Sequence, residues 1–132
     1  MGYDIVDIST AEEIAAAKVI VFPGVGIFGQ AMQSLKSKGW LEPLRAYIRA
    51  DKPFFGICIG MQSLFEGSDE SPEFEGLGII PGRVTRFDAV EAGSGKKVRV
   101  PQMGWNGTSP VKDSVVLENT KPGDSVRLVR CC

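Results

Sequence analysis

The sequence contains no histidine among its 132 residues. Histidine is the side chain that most often acts as a general base near neutral pH, so the usual partner of a catalytic thiol is missing from this chain. Cysteine is also scarce, with three residues, of which Cys131 and Cys132 are adjacent and can bridge only with strain. These numbers exclude a disulfide framework, and we expect a reducing compartment.

A long apolar run and a dominant charge are also lacking. No segment approaches the length of a membrane span, and the start MGYDIVDIS has neither a signal-peptide core nor a transit-peptide composition. Fifteen basic residues are scattered among sixteen acidic ones, which argues against binding to nucleic acid or an anionic membrane. A hydrophobic content of 43% with 23% charged residues is typical of one globular domain. We therefore expect small-molecule or protein partners.

The first half of the sequence alternates predicted strands and helices. Strands are predicted at Tyr3–Ile8, at Lys18–Phe22, which we expect to be buried on both faces, and at Phe54–Cys58. Helices are predicted after a capping box at 10–13, around 31–35 with a stop near 39, over 40–50, and after 60, including 61, 64 and 65. This order predicts an α/β fold with a three-layer, mainly parallel sheet, in which ligands bind at the carboxyl ends of the strands.

The second half of the sequence does not continue this alternation of strands and helices. An acidic loop follows Gly67, and short strands are predicted at 77–80, 83–87 and 97–100, with a turn at 93–95. This pattern predicts a small antiparallel excursion. A further strand is predicted at 111–118, and residues 126–130 also have the composition of a strand.

The segment Gly56-Ile57-Cys58-Ile59-Gly60 has the form of a nucleophile elbow, a tight turn between a strand and a helix. Flanking glycines let neighbouring backbone pass close by, and the positive end of a helix dipole favours the thiolate, which is the nucleophilic form of cysteine. A five-residue pattern of this kind also arises by chance. A buried structural cysteine is therefore the alternative.

A glycine-rich turn, Pro23-Gly24-Val25-Gly26, ends the neighbouring predicted strand. Its backbone amides, together with the amide after Cys58, could hold the oxyanion of an acyl-transfer intermediate. A phosphate-binding or purely structural turn is equally compatible with this motif alone.

Four segments together resemble one family: PGVGIFGQAM at 23–32, PFFGICIGMQSLFEGSDE at 53–70, GLGIIPGRVTRF at 76–87 and VPQMGWN at 100–106. They are similar to the glutaminase subunit or domain of imidazole glycerol phosphate synthase, a class I glutamine amidotransferase of histidine biosynthesis. The resemblance implies a flavodoxin-like fold, present here as an incomplete domain over 1–132. By this resemblance, the domain would lack the family's first strand and helix and the part that bears the catalytic His and Glu.

The resemblance also implies roles for individual residues. Cys58 would be the nucleophile that forms a glutamyl thioester, a step that requires neither a cofactor nor a metal ion. The oxyanion would be held by Val25, Gly26 and Ile59, and glutamine would be bound by Gly26, Gln62 and Glu66. Without the family, a solvated helix residue is a slightly better explanation of Gln62. The loop that faces the cyclase partner would consist of Gln102, Met103, Gly104, Trp105 and Asn106.

Two departures from the family limit these expectations. The H-P-E segment that carries the family's base is not in this sequence, so we expect the chain alone to be inactive. Gln102 stands where the family usually has histidine.

Two alternative functions remain open. One is a non-catalytic binding or regulatory module on the same fold. The other is a redox or chaperone-like cysteine protein, against which Gln62 and the MGWN segment argue. The expected location is the cytoplasm, or the plastid in a plant or alga.

Overall fold

The protein, described by a computed structural model over residues 2, 4–86, 95, 102–107, 109 and 111–130, divides into two compact units. The first unit comprises Met1–Arg86 and the second Phe87–Cys132. Within the described residues, no helix has both the length and the apolar composition that crossing a bilayer requires.

The first unit alternates helices and short parallel strands. Its elements are α1 (Ala11–Ala16), β1 (Ile20–Gly24), α2 (Phe28–Ser37), α3 (Leu41–Arg49), β2 (Phe54–Cys58), α4 (Ile59–Gln62), β3 (Phe65–Ser68) and β4 (Ile80–Val84). β1 pairs with β2 in parallel, and β3 pairs with β4 in parallel. The predicted α/β class with parallel strand pairing is confirmed.

Local sequence signals set the ends of the helices. The Thr10 hydroxyl accepts a hydrogen bond from the Glu13 amide at 3.2 Å, and the Glu13 carboxylate accepts one from the Thr10 amide at 3.1 Å. This reciprocal pair is the predicted capping box, and it satisfies two amides at the start of α1. Gly39, after α2, has a φ of 69°, the left-handed conformation in which helices commonly end.

The hydrophobic core joins the helices to one face of the first sheet. Its buried members are Ile14, Ile20, Phe28, Met32, Leu35, Leu44, Tyr47 and Leu77. Leu77 is 1% exposed, and backbone bonds fix it, because its amide donates to the Ser63 carbonyl at 2.7 Å. The Arg45 guanidinium also donates to the Leu77 carbonyl at 3.0 Å, which ties α3 to this segment.

The other face of the first sheet is exposed, so the expected burial of the second predicted strand on both faces is wrong. Ile20 is buried in the core, whereas Val21 is 57% exposed. On β2, Phe55 and Ile57 are 59% and 46% exposed. The cause is that the core side chains of the described helices pack on the face of the sheet that carries Ile20 and Phe22.

Three predicted strands differ from the structure of the first unit. Residues 4–8 form no strand, with Ile5 and Val6 90% and 80% exposed, and Tyr3 lies outside the described residues. Segment 77–79 is not a strand, because the contacts of Leu77 turn it into the core. The predicted strand at 83–87 is instead β4, which begins at Ile80 and pairs in parallel with β3 rather than in an antiparallel excursion. Position 87 is not among the described residues.

The missed strand is β3. The helical spacing predicts a helix through residue 65, but α4 ends at Gln62 and the backbone is already in a strand at Phe65. The amides of Gly78 and Gly76 donate to the carbonyls of Phe65 and Glu66, at 3.1 and 2.9 Å. These bonds to a later segment replace the bonds of a helix. Spacing within the segment itself does not reveal them, and the predicted helix is therefore too long.

The second unit contains β5 (Gln102–Gly107), a 3₁₀ turn at Val115–Leu117 and β6 (Ser125–Arg130). β5 and β6 pair antiparallel, which confirms the strand predicted at 126–130. The strand predicted at 111–118 is wrong. Val111 and Val115 are 96% and 88% exposed, and a bond from the Leu117 amide to the Ser114 carbonyl closes a tight turn instead. The strand predicted at 97–100 lies outside the described residues, as does the turn at 93–95 apart from Gly95.

Leu77→Ala is expected to lower the free energy of unfolding by about 2–5 kcal/mol, because it leaves a cavity in a fully buried site. Urea denaturation followed by circular dichroism measures this change. Val6→Ala is the matched control, since Val6 is 80% exposed and its truncation is expected to change stability by less than about 0.5 kcal/mol. Equal effects of the two substitutions would contradict the assignment of Leu77 to the core.

Candidate active site

The register of the first sheet brings the two sequence motifs together. β1 and β2 run in parallel with Phe22 opposite Gly56 and Gly24 opposite Cys58. Both strands therefore end at the same edge, where β1 continues into the glycine-rich turn and β2 into α4. Because ligands bind at the carboxyl ends of parallel strands, this edge is the candidate active site.

Cys58 occupies a sharp corner of the backbone. Its φ and ψ are 53° and −111°, a conformation that residues with a Cβ rarely adopt. Backbone strain of this kind costs about 1–3 kcal/mol and is concentrated at functional sites. The side chain is a half-buried free thiol, so the sulfur is not enclosed in the core. The corner is the geometry expected of a nucleophile elbow.

The flanking glycines are required by close backbone approaches. A Cβ built on Gly60 would collide with the carbonyl oxygen of Phe22 on β1. A Cβ on Gly56 would lie 2.5 Å from the carbonyl oxygen of Gly60. Since real Cβ atoms do not approach backbone so closely, the tight corner around Cys58 exists only because both positions are glycine.

Ile59 begins α4 directly after the thiol and is 3% exposed. The helix is four residues long, so its dipole is weaker than the one expected from the sequence pattern. The Ser63 amide and hydroxyl donate to the carbonyls of Ile59 and Gly60, at 2.8 and 2.9 Å, and close the turn. The backbone amide of Ile59 is thereby held at the corner beside Cys58.

Val25 and Gly26 form the solvent-exposed part of the glycine-rich turn. Val25 is 95% exposed, and Gly26 has a φ of 120°, which favours glycine. The turn begins at Gly24, the residue opposite Cys58. These predicted oxyanion residues therefore lie at the same sheet edge as the thiol.

The two predicted glutamine contacts differ in their surroundings. Gln62 is 3% exposed on α4, one helical turn after Cys58, so the alternative of a solvated helix residue is wrong. Glu66 is exposed on β3, and its carboxylate accepts a hydrogen bond from the Gly82 amide at 3.0 Å. Glu66 is thus engaged with the middle of β4. Within the described part of the chain, no three Cys, Asp or Glu residues are grouped as metal ligands.

The predicted partner residues belong to the second unit. Gln102, Met103, Gly104, Trp105 and Asn106 lie on β5 rather than in the expected loop. The cause is the ladder with β6, in which Trp105 is opposite Arg127. Trp105 is 72% exposed, so a large apolar ring is presented to solvent.

Two residues that cap α2, the helix after the glycine-rich turn, are not among the site residues predicted from the sequence. Glu70 and Ser71 accept hydrogen bonds from the amides of Phe28 and Gly29, the first two residues of α2. Both belong to the acidic loop that the sequence predicts after Gly67. A signal was present, because the residue before α2 is Ile27, whose side chain cannot cap a helix, and the cap therefore had to come from elsewhere.

Cys58→Gly is expected to be more stable than Cys58→Ala by about 1 kcal/mol, because both lose the thiol but only glycine relieves the strained φ. Chemical denaturation of the two variants measures the difference. Ala46→Gly, at an exposed position in α3, is the matched control and should lower stability by about 1 kcal/mol. Cys58→Gly less stable than Cys58→Ala would show that the corner is unstrained.

Comparison with known proteins agrees with this arrangement. Residues 2–129 match the family described as glutamine amidotransferase class-I. The chain is 46% identical over 118 residues to "Imidazole glycerol phosphate synthase subunit HisH" of Desulfitobacterium hafniense, covering 89% of this chain and 53% of that protein. It is 48% identical over 90 residues to the HisH subunit of Thermus thermophilus, covering 68% of this chain and 41% of that protein.

A longer relative is "Imidazole glycerol phosphate synthase hisHF, chloroplastic" of Arabidopsis thaliana. The identity is 46% over 119 residues, which is 90% of this chain and 19% of that protein. The chain thus spans about half the length of the first HisH relative and about a fifth of the hisHF relative. With the family match over nearly its whole length and a thiol at a glycine-flanked corner, the chain belongs to the class I glutamine amidotransferase family.

Proposed function

We propose that this chain is the nucleophile-bearing part of a glutamine amidotransferase that supplies ammonia to the cyclase of imidazole glycerol phosphate synthase in histidine biosynthesis. The observation that carries the proposal is the position of Cys58, at a positive-φ corner opposite Gly24, where the glycine-rich turn begins. The HisH and hisHF relatives, named for imidazole glycerol phosphate synthase, support the choice of reaction.

In this mechanism the Cys58 thiolate attacks the carboxamide carbon of glutamine. The carbonyl oxygen becomes an oxyanion, which the backbone amides of the 25–26 turn and of Ile59 stabilise by hydrogen bonds. The C–N bond then breaks, and the nitrogen takes up a proton and leaves as ammonia, so that a glutamyl thioester forms on the sulfur. Water hydrolyses the thioester to glutamate and restores the thiol. Gln62 and Glu66 contact the substrate, and no metal or cofactor takes part.

The proton transfers need a base and acid that this chain does not contain. The 132 residues include no histidine, and the family resemblance assigns that role to an H-P-E segment. We therefore place the missing histidine and glutamate on polypeptide outside residues 1–132, which makes this chain a partial domain. Cytoplasm, or plastid in a plant or alga, remains the predicted location, and the hisHF relative of Arabidopsis is named chloroplastic.

A chloroketone analogue of glutamine in which a chloromethyl group replaces the amide nitrogen, L-2-amino-6-chloro-5-oxohexanoate, is expected to alkylate Cys58 faster than it alkylates glutathione. The reaction is run at about pH 9, where an ordinary thiol ionises without a base. Mass spectrometry of the peptide that contains Cys58 separates this reaction from labelling of Cys131 and Cys132. Glutamine should protect Cys58, whereas D-glutamine should not. Labelling no faster than that of glutathione and unaffected by glutamine would contradict the proposed site.

A non-catalytic module that docks through the exposed Trp105 is the second candidate, and the absence of histidine favours it.

Glutaminase activity separates the two candidates. Under the first proposal, this chain alone releases no more ammonia from glutamine than Cys58→Ala does, and it gains activity when a histidine-bearing segment is added. Turnover that is undiminished in Cys58→Ala would exclude the thiol mechanism. Cyclase binding that needs Trp105, persists in Cys58→Ser and is never accompanied by glutaminase activity would favour the module.

A further inference from the structure

The first helix after the glycine-rich turn is capped from a distant part of the chain. The residue before α2, Ile27, provides no side-chain cap, although the first amides of a helix lack partners within it. The Phe28 amide donates to the Glu70 carboxylate at 2.9 Å, and the Gly29 amide donates to the Ser71 hydroxyl at 3.1 Å. Each pair is separated by 42 residues in sequence.

The segment that provides this cap is itself well fixed. Ser71 is 4% exposed, and its amide donates to the carbonyl of Ser68, the last residue of β3, at 3.2 Å. The Ser68 hydroxyl accepts a hydrogen bond from the Glu70 amide at 3.2 Å. On the other side, Gly29 lies so close that an added Cβ would be 2.8 Å from both the Ser71 hydroxyl and the Phe74 ring. The backbone that carries both acceptors is therefore fixed by contacts other than those with α2.

The cap is one of two anchors of the glycine-rich turn. The other anchor is the pairing of Gly24 with Cys58 at the end of the sheet. Between the anchors, Val25 is 95% exposed and Ile27 48% exposed, so packing contributes little to the conformation of the turn. The directions of the amides at 25 and 26 then depend on where α2 begins.

We propose that Glu70 and Ser71 are positioning residues, which aim the amides of the glycine-rich turn at the oxyanion by fixing the start of α2. This inference rests on the proposed function, because it concerns the oxyanion of that reaction. A carboxylate suits the role, since a hydrogen bond to a charged acceptor is about twice as strong as a neutral one, and negative charge is favourable at a helix N-terminus.

The test compares two reagents on the same thiol. With the chloroketone, the Cys58 sulfur attacks the chloromethyl carbon, the C–S bond forms, chloride leaves with the C–Cl electron pair, and the thiol proton goes to solvent. Its ketone oxygen is on C5, the carbon that carries the carboxamide oxygen in glutamine, and so takes the place of the oxygen that becomes the oxyanion in the proposed reaction. Iodoacetamide alkylates the same sulfur without the glutamine framework. The ratio of the two rate constants therefore reports the oxyanion turn, while a general change in thiol exposure affects both rates.

Glu70→Ala is expected to lower this ratio about tenfold, as the loss of one charge-assisted hydrogen bond would. Glu70→Gln retains an oxygen acceptor and should recover most of the ratio. Glu73→Ala is the matched control, because it removes an exposed carboxylate from the same segment and should leave the ratio unchanged. Hydrogen exchange of the peptide that contains Phe28 and Gly29 should become faster in Glu70→Ala only.

Each outcome separates the positioning role from the proposed function. A ratio that is unchanged in folded Glu70→Ala, or that falls equally in Glu73→Ala, overturns the positioning role while the proposed function stands. A wild-type chain that labels no faster than glutathione and is not protected by glutamine overturns both. If Glu70→Ala does not fold, Ser71→Ala decides. It removes only the acceptor of the Gly29 amide, and an unchanged ratio there overturns the proposal.

Discussion

The site depends on one close backbone contact, the passage of Gly60 against the carbonyl of Phe22. At this point the first turn of α4 lies against the middle of β1, and no side chain fits between them. The contact brings the corner at Cys58 beside the strand that leads into the glycine-rich turn. A larger residue at position 60 would push α4 away from β1 and separate the thiol from the amides that the mechanism requires.

Strain and packing oppose each other at this corner. The backbone of Cys58 is held at a φ of 53°, which costs free energy, and the burial of Ile59 and Gln62 on either side of Gly60 and Met61 holds α4 in place. The thiol itself remains half-buried. Cys58 thus stays partly exposed, while Ile59 and Gln62 after it are enclosed.

The sequence was sufficient for the parts of the site that depend on local patterns. The strand at 54–58 was predicted with its observed bounds, and the pairing of two Gly-rich junctions at one edge followed from parallel strand order. Distant contacts could not be read in the same way. Phe65 continued a helical spacing, yet bonds from Gly76 and Gly78 make it part of β3. Similarly, Glu70 has the composition of a loop residue, and only the fold brings it to α2.

The wrong predictions of strands have a common cause. Residues 4–8 and 111–118 contain β-branched residues, but a strand forms only where another strand satisfies its backbone, and the tendency to extend is weak compared with pairing. β5 illustrates the converse, since the family resemblance implied a loop at these residues and the ladder with β6 makes them a strand. Pairing partners, rather than the residues themselves, decided each of these cases.

The cap on α2 joins residues 42 positions apart, and this separation bears on how the site forms. Closing so large a loop costs entropy that no helix formed nearby can repay, so these contacts are expected to form late, after the core has collapsed. The same reasoning applies to unfolding, in which regions held by a few long-range hydrogen bonds open before the core does. On gentle heating, the amide donors should therefore lose their alignment while the helical content of the protein is still intact.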